Sequence, residues 1–343
     1  MTILLTVLAF AGLIIFHELG HYALARWCGM RVERFSVGFG PVLARKQVGE
    51  TEWAVSALPL GGYVKIAGMD PTEQHDDPRA YINRPPWQRL LVIGAGPAAN
   101  YVLAAILFAV VLMMGPMVVD TSKAQIGQTI PGTPAAEAGL DQGDRVLAVD
   151  GDPIPDWPSF QSAIQQRPGK ETALTVERDK ETLELLIVPN AAEFEGRTIG
   201  QVGVVPSSKR SEGLPFGRSV VGGFVHTWDW NVRIIQALRN LFAPEVELQG
   251  PVGIIRETNR AAEEGIVPFL LLVAVISVHL ALFNLLPIPA LDGGRLVFLF
   301  AEAARRKPIN ARIELTVHAV GFILLLSLIL VVTFRDVGRI WGG

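Results

Sequence analysis

The sequence predicts a polytopic α-helical membrane protein carrying a small α+β module outside the bilayer, and three observations lead there. Half of the 343 residues are hydrophobic and only 18% are charged, with a mean hydropathy of +0.36, too apolar for an ordinary soluble chain. Four long apolar segments stand out, free of Asp, Glu, Lys and Arg save for Glu18: Thr2 to Phe16 continuing through residues 17–21 to Ala25, Val92 to Val119, Ile266 to Leu291, and Leu315 to Phe334. Each is long enough to cross about 30 Å of hydrocarbon as a helix. Between the second and third, a stretch of nearly 150 residues is rich in Gly, Pro and Asp turn signals. A net charge of −3 leaves no basic face for nucleic acid. The single cysteine, Cys28, excludes an internal disulfide and a cysteine-based zinc site.

The first apolar segment has no basic leader and carries polar residues where a cleavable signal needs a plain apolar stretch, so it is expected to be retained as residues 1–27. Inside it, His17-Glu18-Leu19-Gly20-His21 spells H-E-x-x-H. Two histidines four apart share a helix face and can reach one Zn²⁺, and the adjacent Glu18 is placed to deprotonate a water. By chance the pattern arises in roughly one chain in a hundred of this length, so the surroundings decide its weight. Ionisable residues within a spanning segment are costly and functional by default.

Residues 28–91 form the next region, in which Val32 to Phe39, Thr51 to Leu58 and Tyr63 to Ile66 read as strands broken by Gly and Pro. Arg26, Arg31, Arg34, Arg45 and Lys46 make this region cytoplasmic by the positive-inside rule. So do Arg295, Arg305, Arg306, Lys307 and Arg312 for the loop 292–314. Four spans (1–27, 92–119, 266–291 and 315–335) then put both termini and the long polar region on the other side. At the end of the third span, Asn284-Leu285-Leu286-Pro287-Ile288-Pro289-Ala290-Leu291-Asp292 brings two helix-breaking prolines next to a lone carboxylate. Broken backbone at membrane depth needs a protein-lined or watery cavity.

H-E-L-G-H in one span with N-x-x-P-x-P-x-L-D-G-G in a later one resembles the site-2 proteases, the intramembrane zinc metalloproteases. Phe35-Ser36-Val37-Gly38-Phe39-Gly40-Pro41, Pro59-Leu60-Gly61-Gly62-Tyr63-Val64-Lys65 and Gly94-Ala95-Gly96-Pro97-Ala98-Ala99-Asn100 are similar to the bacterial RseP-like branch, the regulators of sigma-E. The resemblance implies one Zn²⁺ per chain held by His17, His21 and Asp292, with Glu18 as general base. It also implies substrate or oxyanion contacts from Asn284, Pro287 and Pro289. In such a family the strands of 28–91 form a cytoplasmic, membrane-associated β-hairpin beside the metal. Single-span proteins of the anti-sigma factor type are cut in the inner membrane after an upstream site-1 protease has trimmed them, and remnant signal peptides form a second substrate class.

Within 120–206, strands are expected at Ile126 to Ile130, Arg145 to Val149, Ala173 to Val176 and Leu183 to Val188, with a helix at Phe160 to Gln166. Pro131 to Leu140 and Gly143 to Gly151 resemble a bacterial PDZ domain, and there is room for one copy, whereas the enteric regulators of sigma-E have two in tandem. The full expectation is therefore four transmembrane helices, a cytoplasmic membrane-associated β-hairpin region and one extracytoplasmic PDZ domain. Residues 207–265 follow, and Phe216 to Phe242, aromatic and aliphatic with Arg218, Arg233 and Arg239 interleaved, reads as an amphipathic helix resting on the membrane surface. Gln249-Gly250-Pro251-Val252-Gly253 is a turn before the third span. His279 is expected to make polar contacts between helices, and His75, His226 and His318 lack ligand-like neighbours. Rival readings are a non-catalytic PDZ scaffold with a structural metal site and a metal transporter. Three ligands plus an adjacent glutamate speak against the first, and the want of an inverted repeat against the second.

Overall fold

The structure, a computed structural model, describes residues 2–70, 76–194, 197–239, 250–305, 307 and 309–341. His75, Arg306, Gln249 and the 240–242 end of the expected surface helix lie outside them. The chain divides into two units, Gly115–Gly213 and the remainder.

In the larger unit, helix α1 (Thr2–Trp27) leads into strands β1 (Val32–Val48) and β2 (Thr51–Ile66), then α2 (Pro86–Met114). Val37 of β1 pairs with Val55 on one flank and with Gly62 on the other, while Lys46 pairs with Trp53. The two long strands thus bend into a four-segment sheet in the order 62–66, 32–37, 51–56, 42–48, whose outer pairs run antiparallel while the central pair, Arg34 with Glu52 through Val37 with Val55, runs in the same direction. Its last segment, Gly62 to Ile66, bears no further strand on its outer edge among the described residues.

Helix α2 was expected over 92–119 but spans 86–114. Gly115, at φ +72°, and Pro116 end it, and Met117–Val119 is a strand of the smaller unit. That unit holds β3 (Met117–Val119), β4 (Ile126–Thr129), α3 (Pro134–Glu137), β5 (Arg145–Val149), β6 (Asp152–Pro153), α4 (Trp157–Gln165), β7 (Thr172–Arg178), β8 (Glu181–Ile187), β9 (Asn190–Phe194), β10 (Arg197–Gln201), β11 (Val204–Pro206) and β12 (Ser208–Arg210). An antiparallel sheet in the order β6-β5-β7-β8 is accompanied by the pairs β4–β11, β9–β10 and β3–β12.

Leu174 and Val176, alternate positions on β7, and Val146 and Val149 of β5, brought to one face by the register shift between Val146 and Ala148, meet Phe160 and Ile164 of α4 in one apolar core. Asp156 caps α4 by accepting the Ser159 amide at 2.9 Å. Arg178 grips the fully buried Asp144 carboxylate with Nε and one Nη, both at 2.7 Å. Burial raises that carboxyl's pKa, but Arg178 and the Asp141 amide outweigh it and hold it below the usual carboxylate range. The stability so gained is present above the unfolded-state pKa and is lost as pH falls through the lowered one. Arg178→Ala should strand a buried charge at a cost of about 3 kcal/mol. In full-length protein, hydrogen exchange at the Leu174 and Val176 amides is then expected to speed up on the order of 10²-fold.

Back in the larger unit come α5 (Phe216–Arg239), α6 (Pro251–Glu264), α7 (Ile266–Leu285), α8 (Asp292–Arg305) and α9 (Ala311–Trp341). Among the described residues, four helices, α1, α2, α7 and α9, are long and apolar enough to cross a membrane. The third span, expected to reach Leu291, stops as a helix at Leu285 because Pro287 and Pro289 follow. At the centre, α2 packs on α1, α5, α7 and α8.

Helix α5, expected as a surface-lying amphipathic helix, packs along α2. Gly222 faces Leu112, His226 the Phe108 ring, and Asn231 accepts from the Tyr101 hydroxyl at 2.7 Å. These contacts carry α5 antiparallel along the axis of α2, because glycines at 222 and 223 permit close approach and Ile234 enters the core with Phe108 and Val278. The Gly-Pro-Val-Gly run, expected as a turn, is instead the N-cap and first turn of α6: the Asp336 carboxylate of α9 accepts the Gly250 and Gly253 amides at 3.2 and 2.9 Å, capping α6 from another helix.

Candidate metal centre

The two imidazoles of α1 point toward α2 because the helices nearly touch: a Cβ on Gly20 would lie 2.2 Å from the Ala95 carbonyl oxygen. His21 Nδ1 donates to the Val92 carbonyl at 2.8 Å, which leaves its Nε2 as a lone pair in the neutral ring. His17 Nδ1 faces the Asn100 amide at 3.2 Å. The oxygen of that amide, fully buried, has no partner as placed. Exchanging the amide's oxygen and nitrogen, which share one shape, presents an acceptor to His17 Nδ1–H and frees Nε2 likewise.

The third group comes from the broken end of α7. The two glycines after Asp292 let the start of α8 tuck beneath the loop, since a Cβ on Gly293 would strike the Leu286 carbonyl oxygen. Asp292 then stands at the first position of α8, where the helix dipole favours a carboxylate. Its Oδ2 lies 3.0 Å from His17 Nε2 and 3.3 Å from His21 Nε2, and the two Nε2 atoms are 3.1 Å apart.

Three atoms with lone pairs thus converge with no proton assigned between them, an arrangement that a cation satisfies. Ligands at 2.0–2.2 Å from a tetrahedral ion lie about 3.3–3.6 Å from one another, so the residues fit Zn²⁺ after small relaxation. Among the described residues this is the one His/Cys/Asp/Glu group with such spacing. Gly96 forms the floor: a Cβ there would sit 2.3 Å from His21 Nε2 and 2.6 Å from His17 Nε2.

A cavity of about 350 Å³ opens onto these atoms, lined by Glu18, Tyr63, Val64, Asn284 and Arg295 among others. The Val64 amide, on the sheet's outer edge, donates to Glu18. Of the residues singled out in the sequence, His17, Glu18, His21, Asp292 and Asn284 share this cavity. Pro287 and Pro289 lie in the loop behind it, the latter against Gly321 of α9. His279 turns to its own helix, donating from Nδ1 to Val275 O at 2.9 Å, and stacks on Phe283 instead of bridging helices. Asn100 and Gly96 were missed as parts of the site. Their signal was the Gly-x-Gly-Pro-x-x-Asn run inside an apolar span, where a polar amide and a helix-weakening glycine each need a reason.

A family model described as peptidase family M50 matches residues 5–328. A relative from Clostridium perfringens is 36% identical and aligns over 98% of both chains. Zinc metalloprotease RasP of Geobacillus kaustophilus is 31% identical over 97% of both, and the regulator of sigma-W protease RasP of Bacillus subtilis 30% identical over 99% of both. Among solved structures, the PDZ domain of an SdrC-like protein of Listeria innocua is 17% identical, covers 26% of this chain and 98% of that one, and has a TM-score of 0.23.

Proposed function

Because the chain belongs to peptidase family M50, the site-2 protease family, and is a zinc metalloprotease, we propose that it hydrolyses peptide bonds inside the transmembrane segments of single-span proteins. The observation that supports this most is the convergence of His17, His21 and Asp292 at mutual distances of 3.0–3.3 Å. The two histidines do so from the apolar helix α1, beside a glutamate and the sheet's outer edge.

One Zn²⁺ per chain would be held by His17 and His21 Nε2 and the Asp292 carboxylate. The ion supplies Lewis-acid polarisation of the scissile carbonyl and an acidified water. Glu18, oriented by the Val64 amide, takes the proton of the attacking water and returns it to the leaving nitrogen. Asn284, across the cavity, donates its amide to the developing oxyanion. A helix hides its own amides, so a substrate must unwind to be cut, and the sheet's outermost segment, Gly62 to Ile66, which pairs with no further strand among the described residues, holds the unwound backbone extended by strand addition.

The substrates are proteins of the anti-sigma factor type, trimmed first by a site-1 protease, with remnant signal peptides as a second class. The relative in Bacillus subtilis is named for sigma-W, so the sigma-E pathway of the initial expectation is not carried over. The Gly115–Gly213 unit acts as a single PDZ domain and faces the extracytoplasmic side together with both termini. The metal centre lies toward the cytoplasmic half of the inner membrane, a placement that the Arg-rich 26–46 and 295–312 segments support. The unit and α5 turn away substrates that still carry a bulky outer domain.

The test is incubation of full-length protein, in detergent or liposomes, with one single-span substrate in trimmed and untrimmed form, followed by mass spectrometry of the products. Cleavage of the trimmed form alone, at a bond inside its apolar segment and abolished by a zinc chelator, is the expected result. Cleavage confined to the soluble flanks would refute the reading.

A further inference from the structure

The loop Leu286 to Leu291, between α7 and α8, positions the third metal-facing side chain. Two of its six residues are prolines and bring no amide hydrogen. Three of the remaining amides bond locally: Leu286 to Phe283 O at 3.1 Å, Ile288 to Leu286 O at 2.7 Å and Leu291 to Ile288 O at 3.2 Å. The Ala290 amide alone leaves the loop, donating to Nδ1 of His318 on α9 at 2.9 Å. Ala290 stands at φ +76°, in the left-handed region that a residue with a side chain holds only where its surroundings enforce it.

That bond is also the one hydrogen bond of the His318 ring among the described residues, since its Nε2 has no partner. Phe298 of α8 flanks the imidazole at a centroid distance of 5.5 Å. Three residues further along, Gly321 presses its backbone on the same loop: a Cβ there would meet Pro289 Cβ at 2.3 Å and its carbonyl oxygen at 3.0 Å. The apolar residues that follow, Phe322, Ile323 and Leu324, are 57%, 62% and 66% exposed. The grip of α9 on the loop is therefore concentrated at His318 and Gly321.

We propose that His318 is a positioning residue for the metal centre. By accepting the Ala290 amide, and with Gly321 backing Pro289, it fixes the loop so that Asp292, two residues on, keeps its carboxylate on His17 and His21. The imidazole touches neither metal nor substrate. This rests on the reading that His17, His21 and Asp292 hold the zinc.

The experiment measures zinc affinity by chelator competition on full-length protein in detergent, beside kcat and KM for a trimmed substrate. His318→Ala is expected to weaken zinc binding 10- to 100-fold, as loss of a group that orients a ligand does, and to lower kcat with little change in KM. His318→Gln, whose side-chain oxygen can take the same amide, is expected to recover most of both. Gly321→Ala leaves the imidazole in place, presses on Pro289 and is expected to weaken zinc by a similar factor. It keeps the proposal open to refutation should His318→Ala not accumulate.

Wild-type affinity in His318→Ala or in Gly321→Ala, beside a lowered affinity in Asp292→Asn, would overturn the positioning role alone. Equal weakening by Gln and Ala at 318 would overturn the acceptor role. Undiminished affinity in Asp292→Asn would remove the reading of the site, and this inference with it.

Discussion

Replacing Glu18 by Gln is expected to abolish cleavage while leaving zinc content unchanged. Gln has the shape of Glu and can still meet the Val64 amide through its side-chain oxygen. The lost property is the capacity to take a proton from water and carry it to the leaving nitrogen. General acid–base groups contribute typically about 10²–10⁴ in rate, and here one carboxylate serves both transfers, so a loss near the upper end is expected. Zinc is held by the three other groups, so metal analysis of the purified variant should match the wild type. His17→Ala should instead lose metal and activity together. An E18Q enzyme within tenfold of wild-type turnover would exclude Glu18 as the proton carrier. Loss of zinc in E18Q would move Glu18 into the ligand set, against the Glu18 placement beside the sheet edge.

How much of this was legible in the sequence follows from the range of each signal. The His17–His21 face is set by helix periodicity over four residues, and the break at Pro287 and Pro289 by covalent chemistry, so both were readable locally. That Asp292 lies 3.0 Å from His17 spans 275 residues of chain, and the family resemblance supplied that pairing. The positions of helix ends needed knowledge of partners. The Val92 to Val119 segment carries no charged residue from end to end, yet Met117–Val119 pairs with Ser208–Arg210 as strand, a choice made by residues about 90 positions away.

The same holds for α5. Its aromatic and basic mixture suits a membrane surface, but Gly222, Gly223 and Asn231 bind it to α2 through contacts that hydropathy does not encode. His318 had no ligand-like neighbour in sequence. Its partner is a backbone amide, a kind of contact no side-chain motif announces.

Gly96→Ala is the substitution in which local and site-level physics make opposite forecasts. Inside a helix, alanine is favoured over glycine by about 1 kcal/mol, so propensity alone says that α2 should gain stability. The added methyl, however, would stand 2.3 Å from His21 Nε2 and 2.6 Å from His17 Nε2, in the space where the ligand atoms converge. Neither imidazole can swing aside without leaving its Nδ1 partner, Val92 O for His21 and Asn100 for His17. Retreat of α2 from α1 is opposed by α5, α7 and α8, which also pack on α2. The expected outcome is a folded protein with zinc affinity lowered by more than the 10- to 100-fold of an outer-shell change, and with cleavage at background.

Gly94 supplies the control. It lies two residues earlier in the same helix, and a Cβ there meets nothing within 4 Å. Gly94→Ala should therefore retain zinc and activity and melt at the same or a higher temperature. Chelator competition and thermal melts on the two variants decide the matter. Wild-type zinc affinity in Gly96→Ala would mean that the imidazoles do not converge over Gly96. Equal losses in both variants would mean that α2 tolerates no added methyl in this stretch, and that the effect at 96 belongs to helix packing instead of the metal centre.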